Sequence, residues 1–223
     1  MLRQLAIAGS VGLFAMGCSG APASEDTGTT SATSDELVVC GWLAGGKCEN
    51  LPAGNWRSAE FWGQAYLDWY APERAYYLNN IEPGPTPLAT PRTVLLVTGV
   101  TIKAEWFDPI KARLERDGFK TVVYEPPGLL SGDLTKATTD LGAVVDGILA
   151  STGESKIDIL AECTGGVIAR NLIQSYGGDT KINRMVTFVS PEHGLPMAPL
   201  VHAIVGWPAL NDLSPGSAFL HKV

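Results

Sequence analysis

Histidine is scarce in this chain: three among 223 residues, His193, His202 and His221. None stands near Cys40 or Cys48, so a zinc site of mixed Cys and His ligands lacks partners there. Phosphate-binding loops are missing as well, because Gly165-Gly166 follows an apolar run without the spacing such a loop needs. No metal and no cofactor is therefore expected. Lys and Arg form no cluster, and a net charge of -7 disfavours nucleic acid as a partner. The uncharged run from Leu5 to Met16 falls short of the roughly 20 residues that a membrane-spanning helix requires.

That run has another use. Behind the basic start Met1-Leu-Arg-Gln it makes the apolar centre of an export signal, residues 1–17. The signal closes at Ala15-Met-Gly-Cys18, which resembles the lipobox of bacterial lipoproteins and implies a lipidated Cys18 at the new amino terminus. Ser19, rather than Asp, after that cysteine suits the outer membrane; an ordinary secreted or periplasmic protein is the alternative. Residues 18–35 are rich in Ser, Thr, Ala and Gly without apolar periodicity, a flexible tether. Export makes a disulfide between Cys40 and Cys48 the simplest pairing, and leaves Cys163 as the odd thiol.

Residues 36–90 hold a dense aromatic stretch, with three Trp and four Tyr between Trp56 and Tyr77. Trp62, Tyr66, Trp69 and Tyr70 lie close to a helical stripe, which suits core or edge packing, or an aromatic lid over an acyl or ring-shaped ligand. Pro83, Pro85, Pro87 and Pro91 then make a stiff connector.

From 91 to 223 the pattern changes. Val94–Val97, Thr121–Tyr124, Ile157–Leu160 and Met185–Val189 are short apolar runs rich in β-branched residues, the mark of parallel strands buried on both faces. Between them, Ile110, Leu114 and Phe119, then Leu141, Val144, Val145, Ile148 and Leu149, then Val167, Ile168, Leu172 and Ile173 recur at helical spacing. Alternation of this kind predicts a doubly wound, mostly parallel α/β sheet with its sites at the carboxyl ends of the strands. Cys163 and His193 both fall at such ends. Around Cys163 the sequence Ala161-Glu-Cys-Thr-Gly165-Gly166 places small residues two positions to either side, as in the G-x-S-x-G nucleophile elbow, with cysteine in place of serine.

Four segments in order, Thr93–Val100, Trp106–Phe119, the elbow, and Met185–Gly194, together with the closing Leu213–Leu220, resemble the secreted bacterial lipase and esterase branch of the α/β-hydrolase family. That resemblance implies a hydrolase acting on acyl esters, with Cys163 as nucleophile. The backbone N–H groups of Thr164 and Val100 would form the oxyanion hole, and an acyl ester or apolar small molecule would be the ligand. The departures are specific. Thr98-Gly99 replaces the family's His-Gly, Glu162 stands where histidine is usual, and the likeness stops at Ser214-Pro-Gly-Ser. Family members continue through two more strands whose loops carry the acid and then the histidine, so the chain is expected to be short at its carboxyl end. His193 is the candidate base, although its counterpart in the family is a structural residue of a Pro-His-His-Gly turn. Two further readings stand beside the hydrolase: a catalytically impaired lipoprotein that binds an apolar or acyl ligand, and a fragment of a longer hydrolase.

Overall fold

The computed structural model describes residues 54–81 and 92–223. Cys18, Cys40, Cys48 and the proline connector lie outside the described residues. So do the expected signal, tether and disulfide.

Four strands, β1 (Thr93–Val97), β2 (Lys120–Tyr124), β3 (Ile157–Glu162) and β4 (Ile182–Phe188), form one sheet in the order β2-β1-β3-β4. Every pairing is parallel. The described helices are α1 (Ala59–Asn79), α2 (Asp108–Arg116), α3 (Leu134–Thr152), α4 (Thr164–Ser175), α5 (Ala198–Val205) and α6 (Pro208–Asp212). Among them none is long and apolar enough to cross a membrane.

Strand alternation divides the core. Leu95 and Val97 of β1 and Ile157, Ile159 and Ala161 of β3 pack with Leu141, Val145 and Ile148 of α3 and with Val167, Ile168 and Leu172 of α4. Val94 and Leu96 point to the other face, where Phe107 meets Ile110 and Leu114 of α2 and Leu160 and Phe188 of the sheet. Helices thus cover both faces, the doubly wound α/β arrangement the sequence pattern predicts. Leu213 and Phe219 of the closing segment are buried in the larger cluster. The local signals agree: the Asp133 carboxylate accepts from Lys136 N at 2.7 Å to open α3, and Gly153 at φ 71° closes it.

Two expectations need correction. Strands buried on both faces describe β1 and β3 only; β2 and β4 are the outer strands of the described sheet, with Val122 and Val186 exposed. The last strand also begins earlier than Met185 and ends before Val189. Its first turn of sequence includes exposed Asn183 and Arg184, and an outer strand can carry such polar residues where an inner one cannot. Asn183 Nδ2 donates to Asp158 Oδ1 of β3 at 2.7 Å.

From Phe61 to Tyr77 the aromatic stretch lies in one helix, α1, which runs through Pro72, while Trp56 precedes it in a turn. Its first half is buried at Ala59, Phe61, Trp62 and Ala65, whereas Trp69, Tyr76 and Tyr77 are exposed. It packs against the loops that leave the carboxyl ends of β1 and β2. Gln64 Oε1 accepts from Lys103 Nζ at 2.7 Å, Tyr70 stacks on Trp106 with centroids 4.1 Å apart, and Arg74 pairs with Asp108.

Candidate active site

β3 turns into α4 at a single residue. Cys163 has φ 51° and ψ -127°, its N–H still donates to Phe188 O of the sheet at 3.0 Å, and its carbonyl already accepts from Gly166 N at 3.0 Å. A side-chain-bearing residue in such a conformation costs about 1–3 kcal/mol, so the surroundings must hold it. They do so by close approach. A Cβ on Gly165 would lie 2.6 Å from Thr98 O and 2.7 Å from Val97 O, so only glycine lets the first turn of α4 rest against the end of β1. A Cβ on Gly99 would meet Cys163 Cβ at 2.6 Å, which brings the loop after β1 alongside the elbow. Gly166 faces Thr187 and Ser190 across a similarly narrow gap, and Ala161 is fully buried between β1 and β4.

The result is a partly exposed thiol facing two backbone donors. The N–H groups of Thr164 and Val100 are turned toward the sulfur and favour its thiolate, and the Thr164 hydroxyl lies 3.7 Å from Sγ. Against them stand the crowding of the sulfur by protein atoms and then the charge of Glu162. The balance pushes the thiol up to about 11 from an ordinary value of 9.0. Glu162 is 2% exposed, and its Oε2 accepts from Gly99 N at 3.1 Å, tying the end of β3 to the loop after β1. The carboxylate that helps to shape the elbow is thus also one that disfavours its anion.

None of the three histidines is hydrogen-bonded to Cys163. His193 is exposed in the turn Pro191–Gly194 and has no hydrogen-bonding partner among the described residues. Its neighbour Glu192 is held by Arg170 of α4. His202 is occupied on both ring nitrogens: Nδ1–H donates to Trp207 O at 2.8 Å and Nε2 accepts from Asn211 Nδ2 at 3.2 Å. A carbonyl can only accept and an amide NH2 can only donate, which sets the direction of both bonds. His221 is exposed in the final short helix, Leu220–Lys222.

One residue near the thiol was not singled out as a site by the sequence. Tyr66 of α1 lies close enough to Cys163 for the two charges to repel; burial first, and the cysteine second, raise its phenol above the ordinary value of 10.0. The aromatic stripe was legible, but nothing local to Tyr66 tells which strand end its helix crosses.

No protein-family model matches the chain, and no curated protein matches its sequence. Among solved structures it is similar to the Bacillus licheniformis lipase BlEst2 in mature form, with TM-score 0.48 and 18% identity over 64% of this chain and 61% of that one. The propeptide form of the same lipase gives TM-score 0.47 and 18% identity over 62% of this chain and 33% of that one. The chain therefore spans less than two thirds of the length of either structure.

Proposed function

We propose that this protein is a lipase- or esterase-like hydrolase in which Cys163 takes an acyl group from an ester. The observation that carries the proposal is the elbow itself: a thiol at φ 51° where β3 becomes α4, with the Thr164 and Val100 N–H groups turned toward it. Donors within reach of that sulfur are within reach of an oxyanion on a carbon bonded to it. In the step envisaged, the thiol first loses its proton to solvent. The thiolate then attacks the acyl carbonyl, the S–C bond forms, the C–O bond to the alcohol breaks with its electron pair, and a thioester remains for water to release.

The impaired alternative also has an observation behind it. With the thiol pushed up to about 11, roughly one molecule in 10⁴ carries the thiolate at pH 7. A general base would add about 10²–10⁴-fold, and no histidine is bonded to the sulfur to supply it. The geometry therefore favours acyl acceptance, and the electrostatics favour slow turnover. We further propose that the protein is exported and held at the membrane by lipid on Cys18.

Release of p-nitrophenolate from p-nitrophenyl acetate at pH 8 separates the readings. One equivalent per protein followed by a much slower rate is expected. Sustained turnover at about 10 s⁻¹, an ordinary enzyme rate, would instead make it a competent hydrolase. Neither burst nor turnover would remove Cys163 as the acceptor.

A further inference from the structure

The carboxylate of Glu162 is buried one residue before the nucleophile, in a place where its charge opposes the thiolate. It also makes a hydrogen bond. Glu162 Oε2 accepts from Gly99 N at 3.1 Å, and a Cβ added to Gly99 would strike both that oxygen and Cys163 Cβ, the latter at 2.6 Å. Carboxylate and nucleophile thus close on one point of the loop after β1.

That loop commits its donors in a definite order. Thr98 N–H donates to Tyr124 O at 3.2 Å, Gly99 N–H to Glu162, Thr101 N–H to Leu129 O at 3.0 Å, and Ile102 N–H to Gly99 O at 3.2 Å. The Val100 N–H, between them, is turned toward the Cys163 sulfur instead. The turn is strained, because Thr101 is β-branched and has φ 61°. Such backbone keeps its shape where its neighbours hold it. Leu129 O holds the loop on the far side of the peptide that carries the Val100 N–H, and Glu162 holds it on the near side. The residue between that peptide and the β1 end is Gly99, which has no side chain and is the freest hinge of the loop.

We propose that Glu162 is the positioning residue of the oxyanion hole: by gripping the Gly99 N–H it keeps the Val100 N–H aimed at an oxyanion formed on Cys163. The inference rests on the acyl-acceptor reading of Cys163. Glu162 acts through Gly99 rather than on the reacting atoms. Its two effects oppose each other, since the charge makes the thiolate scarcer while the acceptor makes each thiolate better at taking an acyl group. A side chain that merely filled space there would have neither effect.

Two reactions of the same sulfur separate these effects. Alkylation by iodoacetamide displaces iodide at a tetrahedral carbon and needs no oxyanion hole, whereas acylation by p-nitrophenyl acetate passes through an oxyanion. The ratio of acylation to alkylation rate at pH 8, both followed by intact mass in the full chain, therefore reports the hole. Glu162→Gln keeps the acceptor and loses the charge; Glu162→Asp keeps the charge but is one methylene too short to reach Gly99 N. The ratio should stay within about threefold of the unaltered protein's in Glu162→Gln and fall about 10²-fold in Glu162→Asp, as loss of one oxyanion donor does. Glu162→Leu, similar in size and without an acceptor, should repeat that fall while being alkylated no more slowly than the unaltered protein. A ratio unchanged in the Asp and Leu variants, or one that falls as far in Glu162→Gln, would overturn the proposal and leave Cys163 as acceptor. An unaltered protein whose Cys163 is alkylated but never acylated would instead remove the acyl-acceptor reading, and the role of Glu162 with it.

Discussion

β3 and β4 lie side by side, and each hands the chain onward through a non-glycine residue at positive φ, Cys163 at 51° and Val189 at 56°. After β3 a helix begins at once, so the unpaired N–H groups of its first turn stand next to the cysteine side chain. After β4 the chain enters the turn Pro191–Gly194 and starts no α-helix until Ala198; Val189 and His193 are exposed. One end gathers backbone donors from two loops. The other holds a histidine in solvent. Backbone strain at a strand end is therefore not enough to make a site, which also needs a helix start and a neighbouring loop close enough to converge on the same atom.

The largest effect expected of this difference comes from closing the gap at the elbow. Gly165→Val would drive Cβ into the carbonyls of Val97 and Thr98, and overpacking of that kind costs about 3 kcal/mol. Thermal unfolding should show a midpoint roughly 10 °C lower. An unchanged midpoint would mean that α4 and β1 are not held together as described.

A smaller effect, of opposite sign for reactivity, should follow Glu162→Gln. The amide oxygen can still accept from Gly99 N, but the charge that opposes the thiolate is gone, so the thiol should titrate lower. Alkylation by iodoacetamide at pH 8 should speed up by up to about tenfold, the equivalent of one pKa unit. In the unaltered protein the same rate should still rise about tenfold between pH 9 and pH 10, because the folded thiol titrates near 11 rather than at its ordinary 9.0. A rate that levels off between pH 9 and pH 10 would contradict the raised value.

The smallest effect tests the other strand end directly. His193→Ala should change the rate of Cys163 acylation by less than about twofold, measured by intact mass against time. A fall of 10²-fold or more would make His193 the general base after all and erase the contrast between the two strand ends.

Much of this was legible in the sequence, and for physical reasons. Inner parallel strands have to be apolar on both faces, so Val94–Val97 and Ile157–Leu160 stand out as runs, and the helices between them show their buried stripes. The elbow was legible because its geometry needs Ala161 and Gly165 to be small. The start of β4 was hidden, because an outer strand tolerates Asn183 and Arg184. Glu162 was half legible: its place next to Cys163 is covalent, but its turn inward to Gly99 depends on the partner loop. Tyr66 and Cys163 are far apart along the chain, and the electrostatic influence of one on the other depends on how α1 crosses the loops after β1 and β2. No local pattern records that crossing.

The most direct test of the central claim is peptide mapping of the native protein after brief exposure to p-nitrophenyl acetate, which shows where the acetyl group resides. The account predicts one acetyl group, on Cys163, in a thioester that persists long enough to be mapped. An unmodified Cys163 with the label on surface lysines would contradict it, and would leave the turn between β3 and α4 as architecture without chemistry.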